Sequence, residues 1–225
     1  MVRHRGMLGG GILLGLLMVA VAGRADEAAA VKAVEKLGGQ ITVDAQRPGK
    51  PVVAVILQDT KVTDAGLKEL KDLNSLQALD LSSTHVTDAG LKALKKLKSL
   101  QTLGLRNTKV TDAGLKELKE LKRLQALDLG GTEVSDAGLK ELKGLKAVQG
   151  LGLWGTKVTD AGLKELKELK SLQDLELAST KVTDAGLREL KDLKSLQTLN
   201  LFRTEVTDAG VADLRKALPK LAILR

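Results

Sequence analysis

One aspartate recurs every 24 residues along this chain, at Asp64, Asp88, Asp112, Asp136, Asp160, Asp184 and Asp208. A column of carboxylates suits a hard cation, and calcium takes roughly six to eight oxygen ligands. No further acids cluster in that stretch. The column therefore reads as first-turn helix acids favoured by the helix dipole, with calcium as the alternative. A denser acidic group, Asp128, Asp174 and Glu176, would need a proton-transfer partner to act as a hydrolase centre. Only two histidines exist, His4 and His85, and there is no cysteine. That leaves no residues for a thiolate zinc site, a cysteine nucleophile, a disulfide scaffold or a lipid-anchoring cysteine. It also leaves too few for a histidine metal cluster or a Ser-His-Asp triad. The chemistry that remains is recognition. The single Trp and the single Phe, Trp154 and Phe202, share one register with Arg106, and Trp and Arg are types enriched at binding hot spots. No catalytic residue, cofactor or metal ligand is assigned.

The elements that position these residues follow from the repeat itself. VTDAGL begins at Val62, Val86, Val110, Val158 and Val182, with near copies at Val134 (VSDAGL) and Val206 (VTDAGV). Leucine makes up 46 of the 225 residues. One unit runs LQALDLSSTHVTDAGLKALKKLKS from Leu76. Leu79 and Leu81, two apart, share one face of a short strand. Leu91, Leu94 and Leu97 have helical spacing, and the apolar skeleton is completed by Leu76, Val86 and Ala89. Such a unit cannot bury its apolar face alone, so neighbouring units must stack on it. Thr63, Thr87, Thr111, Ser135, Thr159, Thr183 and Thr207 precede the DAG triplet as helix N-caps. Thr60, Thr84, Thr108, Thr132, Thr156, Thr180 and Thr204 follow the strand. There a hydroxyl can bond loop backbone of its own and the next repeat. The glutamine row from Gln77 to Gln197 is read as structural.

The L-x-x-L-x-L-x-x-T-x-V pattern resembles the signature of leucine-rich repeats. The TDAGLKEL stretch is similar to the ribonuclease-inhibitor-like and F-box-associated subfamilies. The resemblance implies an α/β fold: a right-handed horseshoe solenoid with a parallel sheet on the concave side and helices on the convex side. Thr stands where the signature usually has Asn or Cys, and no F-box precedes the repeats.

Three domains are expected. Residues 1–25 are a secretory signal peptide, with Arg3 and Arg5 before an apolar run at 7–22 and small residues after it. A retained membrane anchor is the alternative. Residues 26–51 are an N-terminal cap, a helix over 27–37 ended by Gly38-Gly39 and a strand over 41–44. Residues 52–225 hold seven 24-residue repeats and a truncated terminal strand, whose edge is either blunted by Lys220 and Arg225 or used for pairing. Eight parallel strands are predicted, with helices starting at each of the seven aspartates.

Residues flanking the inward leucines face the concave surface in three rows. One holds Arg106, Trp154 and Phe202, another Asp128, Glu176 and Asn200, the third Asp174. Arg106, Asp128, Trp154, Asp174, Glu176, Asn200 and Phe202 are the expected protein-binding residues, with drifted surface positions as the alternative. The formal net charge is +8, yet lysines and acids are interleaved and stacking aromatics are scarce, so nucleic acid is not an expected partner. A weak attraction to anionic envelope surfaces fits the charge balance better. The expected function is a non-catalytic protein-interaction scaffold, exported to the cell envelope or beyond, with an unknown protein ligand on the concave face and no membrane insertion after signal cleavage. A substrate-recruiting arm similar to F-box proteins, and a hydrolase, are the alternatives.

Overall fold

The computed structural model describes residues 25–225. The expected leader at 1–25 lies outside them save for its last residue. Helix α1 (Ala25–Lys36) is followed by β1 (Gln40–Val43) and β2 (Val52–Ile56). Seven short strands then repeat: β3 (Ala78–Asp80), β4 (Thr102–Gly104), β5 (Ala126–Asp128), β6 (Gly150–Gly152), β7 (Asp174–Glu176), β8 (Thr198–Asn200) and β9 (Ala222–Leu224). They form one nine-stranded sheet in chain order. β1 pairs antiparallel with β2, and every later pairing is parallel. The register advances by one repeat per strand, so Leu79 faces Leu103 and Leu103 faces Leu127. These leucines, with Leu81, Val86, Leu91, Leu94 and Leu97 and their equivalents, form one continuous buried core. Ala89 is the exception. The helical pattern includes it, but it is exposed, because it stands at the second position of its helix and points to solvent.

The connecting helices begin at the seven aspartates, but most are single turns. Asp88–Leu91 continues as a 3-10 turn over Lys92–Lys96, and Asp112–Leu115 likewise over Lys116–Leu118. In a 24-residue unit the chain must cross the core and return, which leaves no length for a full α-helix. Asp208–Ala217, in the last unit, runs longer and closes that end of the core.

The aspartates join one repeat to the next. Asp88 Oδ1 accepts the Thr111 backbone N–H at 2.7 Å, and its Oδ2 accepts the Thr111 hydroxyl at 2.7 Å. The same pair of bonds links Asp112 to Ser135, Asp136 to Thr159 and Asp184 to Thr207. The threonine hydroxyl in turn caps its own helix, as Thr111 does by accepting from Ala113 N–H at 3.2 Å. Both carboxylate oxygens are thus engaged by the next repeat, a role beyond the dipole effect and the alternative to a calcium column. Asp208 meets the Arg225 guanidinium, which also donates to the Val206 carbonyl at 2.9 Å. Arg225 therefore folds back onto the last repeat.

The glycine of each DAG triplet after the first follows from this bridge. A Cβ on Gly138 would run into the Asp112 carboxylate and come within 3.1 Å of Leu115 Cδ1. The strand-exit threonines do less than expected. Thr108 donates to the Leu105 carbonyl of its own loop at 2.6 Å, and no bond from its hydroxyl to the next repeat is found among the described residues.

The Thr207 hydroxyl, and then its backbone N–H, hold the Asp184 carboxyl below the ordinary carboxylate range. A depressed folded pKa stabilises the fold above the unfolded value, and that contribution is lost as the pH falls through the folded one. Denaturant titrations carried below about pH 4 should therefore show a smaller acid loss for Asp184→Asn than for the parent chain.

At the other end α1 lies on the first repeat through Ala30, Val31 and Val34. Glu27 is only 4% exposed, and its Oε2 accepts the Val52 N–H at 3.0 Å. Glu27→Ala leaves that buried donor unpaired and should cost about 1–3 kcal/mol in a denaturant titration. On the opposite surface Lys119 meets Glu141 at 2.6 Å and Lys143 meets Glu165 at 2.6 Å. These pairs are solvent-exposed on the lysine side, so Lys119→Ala should change stability by less than about 1 kcal/mol.

Candidate protein-binding surface

Strands β3 to β8 each turn a central leucine into the core, so the two flanking residues lie on the opposite face of the sheet. That face carries every expected site residue. Past each strand the chain bends at a residue with left-handed backbone: Asp59, Ser83, Asn107, Gly131, Gly155, Ser179 and Arg203 all have φ between 52° and 65°. This bend fixes the orientation of the residue just before it, which is Arg106, Trp154 or Phe202 on alternate strands.

The row next to the bend is tied down by side-chain to backbone bonds. Asp128 Oδ1 accepts the Gly130 N–H at 2.9 Å, Glu176 Oε1 accepts the Ala178 N–H at 2.9 Å, and Asn200 Oδ1 accepts the Phe202 N–H at 3.0 Å. Asn200 also donates to Glu176 Oε2 at 2.8 Å. Asp128 leans across the neighbouring strand, where a Cβ on Gly152 would lie 2.5 Å from its Oδ1. Asp174 stands between Gly150 and Thr198. Its backbone N–H donates to the Gln149 carbonyl at 2.9 Å, while its carboxylate makes no hydrogen bond or ion pair among the described residues.

The aromatic row is less open than spacing alone suggests. The Trp154 ring lies back over the preceding bend, with Cζ3 only 3.3 Å from where a Gly131 Cβ would stand. The Arg106 guanidinium stacks on that ring at 4.8 Å from its centroid. The small residues between the large ones, Ser82, Gly130 and Ala178, are buried. They therefore do not offer empty room, as the spacing would suggest; the neighbouring repeats already fill it. Phe202 is 45% exposed and carries Arg203 at 5.2 Å from its centroid. The surface thus brings Arg106 together with Trp154, and Glu176 with Asn200 and the Phe202 backbone. It keeps Trp154 and Phe202 on separate strands.

Arg203 is a member of this surface that the strand register does not reveal. Its signal is its place directly after Phe202, at the left-handed bend. The glutamines hold the structural place expected of them. Their backbone carries the sheet, Gln101 N–H donating to the Gln77 carbonyl at 2.7 Å. Gln77, Gln101 and Gln125 also line a polar groove of about 440 Å³ with Arg47, Lys122 and Arg123. Among the described residues no group of three or more His, Asp or Glu side chains could hold a metal ion, and no helix is long and apolar enough to cross a membrane.

A sheet extended one strand per 24 residues, with leucines at fixed register, is a leucine-rich repeat solenoid. The leucine-rich repeat region family matches residues 54–225, and the chain belongs to that family. Solved structures agree on the fold. Internalin C2 of Listeria monocytogenes is 24% identical with a TM-score of 0.59, covering 88% of this chain and 92% of its own. A second Listeria monocytogenes internalin is 22% identical at the same TM-score, over 78% of this chain, which spans about half of its length at 54%. The ectodomain of an Arabidopsis thaliana membrane receptor kinase, GASSHO1/SCHENGEN3, solved in complex with CASPARIAN STRIP INTEGRITY FACTOR 2, is 19% identical. Its TM-score is 0.53, and it covers 82% of this chain and 25% of its own. No curated protein matches the chain.

Proposed function

We propose that this protein is a non-catalytic interaction scaffold that binds a partner protein on the concave face of its sheet, through Arg106, Asp128, Trp154, Asp174, Glu176, Asn200 and Phe202. The observation that carries the reading is that the chain's only Trp and only Phe both stand on this face, each topped by an arginine. Two aromatic–guanidinium stacks on an otherwise small and acidic surface are the side-chain types that dominate binding energy. Membership of the leucine-rich repeat family supports a scaffold role, and the plant receptor ectodomain in its complex is a related fold that holds a protein ligand. The VTDAGL motif favours the ribonuclease-inhibitor-like subfamily.

Residues 1–24, outside the described ones, have the charge and apolar layout of a leader, which supports action in the envelope or outside the cell. Export argues against the F-box-like alternative. Against a hydrolase, the acids of the concave face lack a histidine partner, and Asp128 and Glu176 are held by backbone N–H groups. The anionic-surface reading rests on the outer lysines, several of which already face acids across repeats.

Panning a displayed random-peptide library on the chain tests the reading. Selected peptides should lose binding to Trp154→Ala and Phe202→Ala and keep binding to Lys119→Glu. Peptides indifferent to both concave substitutions would refute it.

A further inference from the structure

The concave face has a two-repeat rhythm. Acids stand on every second strand, Asp80 on β3, Asp128 on β5 and Glu176 on β7, while the large side chains stand just past the strands between, Arg106 after β4, Trp154 after β6 and Phe202 after β8. Two columns therefore run side by side across the sheet, one acidic and one aromatic and guanidinium. Strands lie roughly 4.8 Å apart, so each column repeats every ~9.6 Å, and the columns are about 7 Å apart along the strands.

We infer that this face takes a basic, proline-rich segment of a partner protein in the polyproline II conformation, its cations over the acidic column and its prolines over the aromatic one. The inference rests on the reading of the concave face as the binding surface. A polyproline II helix presents the same edge every three residues, about 9.3 Å. An α-helix returns to the same face after seven residues, about 10.5 Å, and a strand after two residues, about 6.6 Å. Over two periods the first stays within about 1 Å of the columns and the α-helix drifts by about 2 Å.

Charge selects the sign of the ligand. This face holds Asp80, Asp128, Asp174 and Glu176 against two cations, Arg106 and Arg203, already stacked on Trp154 and Phe202, although the whole chain is +8. The Asp174 side chain makes no hydrogen bond or ion pair among the described residues, so its carboxylate is open to a ligand cation. The other acids and Trp154 are held by backbone N–H groups and by Gly131, so little is left to order on binding. Aromatic-lined grooves that favour a preformed, low-entropy ligand are a recurring mode of proline-rich recognition.

The single Trp, in a chain without Tyr, makes indole emission a reporter of this site alone. The probe is a peptide of four Lys-Pro-Pro units titrated into the full chain. A saturable change in emission is expected, with four Lys-Gly-Gly units, of equal length and charge, binding at least about ten-fold more weakly, and four Glu-Pro-Pro units not binding. Phe202→Ala and Asp174→Asn should each weaken the Lys-Pro-Pro peptide about five-fold or more. Equal binding of the flexible peptide, or no saturable change with Lys-Pro-Pro, overturns the inference. If library peptides that depend on Trp154 lack proline, the inference falls and the concave reading stands. If selected peptides ignore the concave substitutions, both fall.

Discussion

Leu127→Ala should lower the free energy of unfolding by about 2–5 kcal/mol, read as a lower denaturant midpoint. Leu127 is 2% exposed and pairs with Leu103 on one side and Leu151 on the other, in the middle of the sheet. Removing it opens a cavity shared by three repeats, whose walls are other leucines held at fixed register. In a solenoid each repeat is supported only by its neighbours, so a central defect weakens both flanking interfaces. A terminal site such as Ile223, on the partly covered last strand, should lose less on the same truncation. A cost below about 1 kcal/mol at Leu127 would contradict the assignment of this register to the core.

Gly138→Val should cost about 2–4 kcal/mol, combining overpacking with the loss of hydrogen bonds between repeats. The new Cβ meets the Asp112 carboxylate, which accepts both the Ser135 N–H and the Ser135 hydroxyl. Either the carboxylate leaves its partners or the helix shifts off Leu115. A double-mutant cycle separates these. In an Asp112→Ala background the valine should cost clearly less, because the group it displaces is already gone. Equal cost in both backgrounds would place the strain elsewhere.

Most of the frame was legible from the period. Helix starts at Asp64 through Asp208 and strands at the expected steps follow from leucine spacing and the DAG triplet, because stacking repeats forces every copy into one register. The geometry between copies was not legible. The bonds from Asp88 to Thr111 join residues 23 positions apart, a separation that gains meaning only once the units are stacked. The left-handed bends are visible at Gly131 and Gly155, signalled weakly at Asp59 and Asn107, types that tolerate positive φ, and hidden at Ser83, Ser179 and Arg203. At the candidate site the alternation of Arg106, Trp154 and Phe202 was readable. The folding of Trp154 over Gly131 was not, since it depends on a bend in the preceding repeat. That packing gives Trp154 a structural share as well, so its removal should cost some stability, about 0.5–1.5 kcal/mol for the lost stacking.

The claim that the concave face is the working surface is tested most directly by one pair of titrations. A peptide selected on the full chain is titrated into Trp154→Ala and into Lys119→Glu, both confirmed folded by their unfolding transitions. The account expects Trp154→Ala to weaken binding by about 2 kcal/mol or more, as hot-spot truncations do, and Lys119→Glu to bind like the parent chain. Undiminished binding to Trp154→Ala, with binding abolished by Lys119→Glu, would contradict it and move the site to the helical face.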